Sequence, residues 1–422
     1  MLTEFRVTNY RSINETQTLS MTTSKYYKGL EEKNCFISGV SGLPGLLRSG
    51  VIYGPNAAGK SNLIRAMHFM QSFVLLSHAH QEGQRINATP FALAADLRTK
   101  PSDFEVFFVQ NGIRYQYGFA LNTERVTEEW LLAYPEGKPQ RWFQRVYDEK
   151  AGKDTWYFGS KFMGRKQLWQ ESTRKNALFL STAIQLNNEQ LKPVFNWFQN
   201  ILVVILPEHQ INLGLSVDQC DSEEGKKKIM GFMNSADLSI ADIEIKKTAF
   251  SQEMIPQNMP AELKEMMNRD LHGKEMSAIR FQHKDDKGEP VYFDIGDESD
   301  GTKKLFFYAG PLLDVLDKGR VLLVDELDTS LHPLLVRFLI EIVHNVEDNN
   351  RNAQLIFTTH DTSLLDTDLF RRDQIWFVER DRGNATKLYP LSDFSPRKGE
   401  AIEKWYLKGR YGGLPLIGDL RA

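Results

Sequence analysis

The sequence predicts an α/β fold, and three stretches carry that expectation. Gly54-Pro55-Asn56-Ala57-Ala58-Gly59-Lys60-Ser61 fits G-x-x-x-x-G-K-[ST] at every required position. Val321-Leu322-Leu323-Val324-Asp325-Glu326 is an aliphatic run ending in two carboxylates, as expected of a central parallel strand buried on both faces. Gln354-Leu355-Ile356-Phe357-Thr358-Thr359-His360 is a further apolar run, ending in a histidine.

Residues 2–13 place Leu2, Phe5, Val7, Tyr10 and Ile13 among polar neighbours, which suggests a strand and a turn. Residues 21–45 read as a loop-rich connection. Leu46-Leu47 and Val51-Ile52-Tyr53 form a short buried strand before the glycine loop, and Leu63, Ala66, Met67 and Met70 recur at helical spacing after it. A helix N-terminus would therefore face a bound phosphate. Residues 77–99 are polar and irregular. Asn111-Gly112 separates the alternating runs Phe104–Val109 and Ile113–Leu121, a strong hairpin signal. Trp130–Tyr134 and Arg141–Tyr147 continue as antiparallel strands. The pattern turns helical from about Lys166 to Asn200, and Ile201–Leu206 is a buried strand. Residues 207–280 alternate polar loops with helical pieces, and Lys226-Lys227-Lys228 reads as a solvated helix face. Pro333 stands near the start of a helix running through Val343. Asp366 and Asp368 read as helix-start capping.

With 422 residues, 41% apolar and 25% charged, the composition is that of an ordinary globular protein with a large core. The net charge of −3 exerts no global pull on nucleic acid or anionic membrane. Cys35 and Cys220 have no metal-ligand or disulfide spacing, so a reducing cytoplasm is expected. The N-terminus lacks a signal peptide's apolar core, and no aliphatic run is long enough to span a bilayer.

A glycine loop of this type points backbone N–H groups inward around phosphates, its lysine reaches the β/γ-phosphates, and its last hydroxyl binds Mg²⁺. Of the two carboxylates ending the Val321 run, one can support the Mg²⁺ hydration shell while the next orients and deprotonates water. His360 stands where an imidazole N–H would reach a γ-phosphate. Ser299-Asp300-Gly301-Thr302 precedes a helix and makes either a simple N-cap or a second anion-binding helix end.

The order of phosphate loop, distant S-x-G helix, aliphatic strand with Asp-Glu, Leu327-Asp328-Thr329-Ser330-Leu331-His332-Pro333 and Thr-Thr-His resembles the ABC-type ATPases of the SMC/RecF group. Leu2-Thr3-Glu4-Phe5-Arg6-Val7-Thr8-Asn9-Tyr10-Arg11-Ser12 is similar to that group's first strand. Within it the chain most resembles the RloA-like, abortive-infection AAA ATPases of bacterial phage defence. Tyr53-Gly54-Pro55-Asn56, Ser299 to Leu305 and Lys408-Gly409-Arg410-Tyr411-Gly412-Gly413-Leu414-Pro415 carry this narrower likeness.

The resemblance implies ATP and Mg²⁺ as cofactors. Gly54 to Ser61 with Asn62 would bind phosphates, Ser61 and Asp325 the metal, and Arg11 the α-phosphate. Glu326 would activate water and His360 sense the γ-phosphate. Ser299 and Gly301 would act on ATP held by a second copy in a homodimer, with Asp328 at the same interface. Asp300 replaces the glycine usual in that signature, and no residue is assigned to the family's Q-loop.

The fold expected is thus α/β, an ABC-type head from residues 1–75 and 290–395. An antiparallel β lobe (76–160), a mainly helical insert (161–289) and a tail (396–422) packed on the head would complete it. The implied function is that of a cytoplasmic ATPase acting as sensor or scaffold with a separate RloB/Toprim-type nuclease, with phage protein or DNA as a further partner. A RecF-like DNA-binding repair ATPase is the competing reading.

Overall fold

The computed structural model describes residues 1–208, 213–236, 240–251, 255, 259–273, 275–397 and 399–415. The end of the expected tail, residues 416–422, lies outside the described residues, as do parts of the 161–289 insert. The chain divides into two compact units. The first comprises Met1–His209, Val315–Thr329 and Val336–Ala422, the second Gln210–Asp314 and Ser330–Leu335.

The first unit holds a six-stranded sheet in the order Leu202–Ile205, Val321–Val324, Gln354–Thr358, Ser49–Tyr53, Ile375–Arg380, Thr386–Pro390. Its first five strands run parallel and the last returns antiparallel. The three central strands are buried throughout, as parallel strands covered on both faces must be. Their aliphatic runs need that burial, so strand type and position follow from composition.

A seven-stranded antiparallel sheet orders Lys153–Phe158, Gln140–Asp148, Val126–Tyr134, Ile113–Leu121, Ser102–Gln110, Leu2–Thr8 and Gln17–Ser20. The register Gln110↔Ile113 leaves Asn111 and Gly112 as a two-residue turn, with φ of 51° and 73°. Both values are positive, as a type I′ hairpin requires. The helix Lys60–Leu76 links the sheets: Phe69 and Phe73 lie 5.1 and 5.5 Å from Phe104 and Phe119. Buried Gln354 adds a polar tie, accepting from Leu2 N at 2.6 Å and donating to Leu2 O at 3.0 Å.

Several sequence expectations change in the folded chain. Residues 2–20, assigned with the nucleotide core, supply two strands of the antiparallel sheet. The 161–289 stretch is divided: residues 161–208 add helices and a parallel edge strand to the first unit. The second unit contains a three-stranded antiparallel sheet, Asp242–Ala249, Glu275–Lys284 and Pro290–Asp294, beside its helices. Among the described residues those strands bury Ile243, Ile279 and Phe281, too sparse an alternation to stand out. Asp366 and Asp368 start no helix. Asp366 accepts the Asp368 N–H at 2.8 Å and pairs with Arg337 at 2.9 Å, which makes them a turn.

His344 ends the helix Pro333–His344 and is buried, 2.7 Å from Ser49 Oγ. Burial, with Arg48 and Lys33 nearby, pushes its pKa down to about 3. The unfolded imidazole protonates near 6.5 and the folded one does not, so this contribution is intact above 6.5 and declines below it. The expected slope is about 1.4 kcal/mol per pH unit. Burial pushes Asp103 up to about 7, which acts with opposite sign over the same window. The readout is therefore the difference between wild type and His344→Gln in urea unfolding from pH 7.5 to 5. The variant should lose less stability on acidification; parallel curves would mean His344 takes up a proton in the folded state.

Candidate functional site

The glycine loop joins the strand Ser49–Tyr53 to the helix Lys60–Leu76. Both motif glycines answer to packing behind the loop. A Cβ on Gly54 would stand 2.3 Å from Val378 O. One on Gly59, whose φ is +109°, would stand 2.0 Å from Thr386 Oγ1. A directed chain of hydrogen bonds supports this back side: Asn62 Nδ2 donates to Ser12 Oγ at 2.7 Å, Ser12 and Thr386 hydroxyls meet at 2.7 Å, and Thr386 donates to Ala58 O at 2.9 Å. Arg380 Nε donates to the carbonyl of Ala57, itself at φ +62°.

Lys60 is only 5% exposed and folds over the loop, donating to Gly54 O at 2.7 Å and Pro55 O at 3.3 Å. Burial lowers its pKa to about 8, against the opposing pull of Asp325, Glu326 and Asp328. The ammonium is thus charged but poorly solvated, and an anion at the loop would relieve that cost.

The acidic pair ends the strand Val321–Val324. Asp325 is buried; its Oδ1 accepts the Thr358 hydroxyl at 2.6 Å, while its Oδ2 is buried with no partner. Glu326 is half-buried and adopts φ +55°, and its N–H donates to Thr358 Oγ1 at 2.7 Å. Asp328 Oδ2 accepts the His360 N–H at 3.1 Å, and its Oδ1 is buried without a partner. His360 is exposed by surface area, yet partial desolvation and Lys60 hold its imidazole below its usual pKa, with the three acids opposing. It stays neutral near pH 7 and able to donate one N–H.

One cavity of about 300 Å³ brings Lys60, Glu326 and His360 together, while Asp325 and Asp328 do not line it. It is lined by Arg11, loop residues 55–57 and 59–62, Arg65, Glu326 and His360. Gly54 and Ala58 instead face a second cavity of about 920 Å³, bounded by His360, Arg380 and tail residues from Tyr406 to Pro415. Tyr406 stacks on Phe377 at 5.2 Å and donates to Gly413 O at 2.8 Å. Tyr406 and Tyr411 are buried, whereas Trp405 stays 37% exposed, so the tail aromatics do not bury as one group.

Ser299 and Gly301 belong to the second unit. Ser299 Oγ accepts the Thr302 N–H at 3.1 Å and so caps the helix Asp300–Lys318. Asp300 lies 3.8 Å from Lys303 Nζ, which offsets part of its charge. A Cβ on Gly301 would lie 3.4 Å from Ser330 O.

Sequence reasoning assigned no role to Ser12, Thr358, Thr386 or Arg380; Ser12 and Thr358 lie inside stretches that carry the resemblance, whereas Thr386 and Arg380 stand in no motif. The donor set suits a hydrated divalent ion bound together with phosphates. The orphaned Asp325 oxygen and the Ser61 hydroxyl at the loop would supply hard oxygen ligands to it. Among the described residues there is no cluster of three or more His, Cys, Asp or Glu that could hold a metal without such a ligand. Among them, too, no helix is long and apolar enough to cross a membrane.

A family model described as "AAA domain, putative AbiEii toxin, Type IV TA system" matches residues 51–366. No curated protein matches the chain significantly. Among solved structures, the SMC head domain from Thermotoga maritima is similar at 13% identity and a TM-score of 0.41, covering 92% of this chain and 98% of that one. An Smc head domain bound to the C-terminal domain of ScpA, derived from Pyrococcus furiosus, matches at 12% and 0.39, covering 97% and 99%. The recombination mediator protein RecF-ATP matches at 12% and 0.36, covering 92% and 99%.

Proposed function

Since the chain belongs to this AAA-domain family, we propose that it is a Mg²⁺-dependent ATPase whose complete site forms between two copies. The main support is one cavity shared by Lys60, Ser61, Glu326 and His360, with an unpartnered Asp325 oxygen on the same acidic strand end. Gly54 to Ser61 and Asn62 bind the phosphates, and Arg11 serves the α-phosphate. Ser61 and Asp325 hold Mg²⁺, which when bound neutralises charge on the phosphate oxygens.

Glu326 accepts the proton of the attacking water. Its carboxylate is half-buried at the cavity wall, whereas Asp325 is committed to Thr358. The neutral His360 ring directs an N–H toward the γ-phosphate, and Asp328 steadies the His360 backbone. Ser299 and Gly301, at a capped helix start, serve ATP bound by the partner copy, so turnover reports closure of the dimer. The RloA-like motifs add the biological setting: a cytoplasmic phage-defence sensor or scaffold that works with a separate Toprim-type nuclease.

The test is ATP hydrolysis per molecule against protein concentration, with native mass measured with and without ATP. Specific activity should rise with concentration, and the mass should double with ATP. A constant rate from a monomer overturns the composite site. No hydrolysis at any concentration overturns the ATPase itself. Metal-dependent nuclease activity in this chain alone would overturn the separate effector.

A further inference from the structure

We propose that Thr358 is a positioning residue, whose single hydroxyl sets both acids of the site and leaves one Asp325 oxygen open to the metal. This rests on the ATPase reading above. Thr358 is fully buried and ends the strand Gln354–Thr358, paired in parallel with the acidic strand at Val324↔Phe357. Its Oγ1 lies 2.6 Å from Asp325 Oδ1 and 2.7 Å from the Glu326 nitrogen.

A hydroxyl carries one hydrogen. The ionised carboxylate can only accept and the amide can only donate, so the hydrogen points at Asp325 and a lone pair at Glu326. Neither bond can form the other way round. The Asp325 carboxylate is thereby oriented with Oδ1 engaged and Oδ2 free, buried and unpartnered. The amide bond steadies Glu326 at φ +55°, a backbone region that residues with side chains rarely adopt. The Thr358 carbonyl accepts the next N–H, that of Leu327, at 3.1 Å. One residue of a neighbouring strand therefore holds three consecutive residues of the acidic turn.

Thr358→Val keeps the shape and removes the hydroxyl, whereas Thr358→Ser keeps the hydroxyl. Four quantities separate positioning from mere stability: ATP affinity without metal, Mn²⁺ affinity by EPR with a non-hydrolysable ATP analogue, kcat, and the melting midpoint. Thr358→Val should retain metal-free ATP affinity while Mn²⁺ affinity and kcat each fall about 10–100-fold, the usual cost of losing a residue that orients a metal ligand. Thr358→Ser should recover most of both. Thr358→Ala takes the same measurements if Thr358→Val does not fold.

Wild-type Mn²⁺ affinity and kcat in Thr358→Val overturn the proposal. So does metal-free affinity falling in step with kcat, or a serine variant no better than valine. Wild-type protein that binds no nucleotide overturns the ATPase reading and this inference together. Wild-type protein that binds Mn²⁺-nucleotide without turnover still decides the role of Thr358 through the EPR affinity.

Discussion

Glu326→Gln should cut ATP turnover by about 10²–10⁴-fold, the contribution expected of a general base, while nucleotide binding persists. Glutamine matches glutamate in size but cannot take a proton from water. The backbone at φ +55° and the Thr358 bond to the Glu326 amide are unaffected, because both involve main-chain atoms. The loss should appear in kcat rather than in ATP affinity, since Lys60 and the loop amides remain. ATP-bound dimers should accumulate and be visible as a mass increase that persists after free nucleotide is removed. Normal hydrolysis by this variant would mean that another group accepts the proton. Loss of binding together with turnover would mean that Glu326 supports the loop instead of the chemistry.

The second large effect concerns the scaffold. Arg145→Ala should destabilise the first unit by about 3 kcal/mol, the low end of the range for breaking a buried ion pair from one side, because Asp154 keeps Arg125 at 2.6 Å. The Arg145 side chain is fully buried, and its Nε and Nη2 donate to Asp154 Oδ2 at 3.0 and 2.8 Å. Its Nη1 donates to Ala177 O at 2.9 Å, joining two strands of the antiparallel sheet to the segment before helix Phe179–Gln185. Truncation leaves the Ala177 carbonyl without that donor and opens space beside Trp156, whose ring lies 5.2 Å from the guanidinium. Lysine should rescue poorly, because it lacks the planar fork that reaches both partners. Urea unfolding of wild type, Arg145→Ala and Arg145→Lys decides this. A loss below about 1 kcal/mol would place the pair with ordinary surface ion pairs.

Much of the site was legible because its signals are local or use fixed residue types. The glycine loop, the run into Asp325 and Glu326, and the Asn111-Gly112 hairpin depend on neighbours within a few residues. Backbone sterics and strand or helix periodicity act over that range. For the same reason the central strands could be read from their apolar runs, and the helix after the loop from its spacing.

The limits of that legibility are equally physical. Among the described residues the strands between 242 and 294 bury few side chains, so the sheet of the second unit left little periodic trace. Threonine at 386 carries no motif, and the Thr-Thr-His motif gives Thr358 no role; the meaning of each comes from what stands across a sheet. Ser12, Asn62 and Thr386 meet only because the Thr386 strand folds back beside the loop. Thr358 meets Asp325 only because two parallel strands adopt one register.

The sequence alone determined the glycine loop, the acidic strand end and the alternation that makes the large antiparallel sheet, since each is encoded by short-range spacing. Tertiary structure alone decided which hydroxyl orients Asp325 and which threonine forbids a side chain at Gly59. It also decided which oxygen remains without a partner. Those outcomes depend on atoms brought within about 3 Å by strand pairing, and hydrogen-bond geometry at that range is invisible to any one-dimensional pattern.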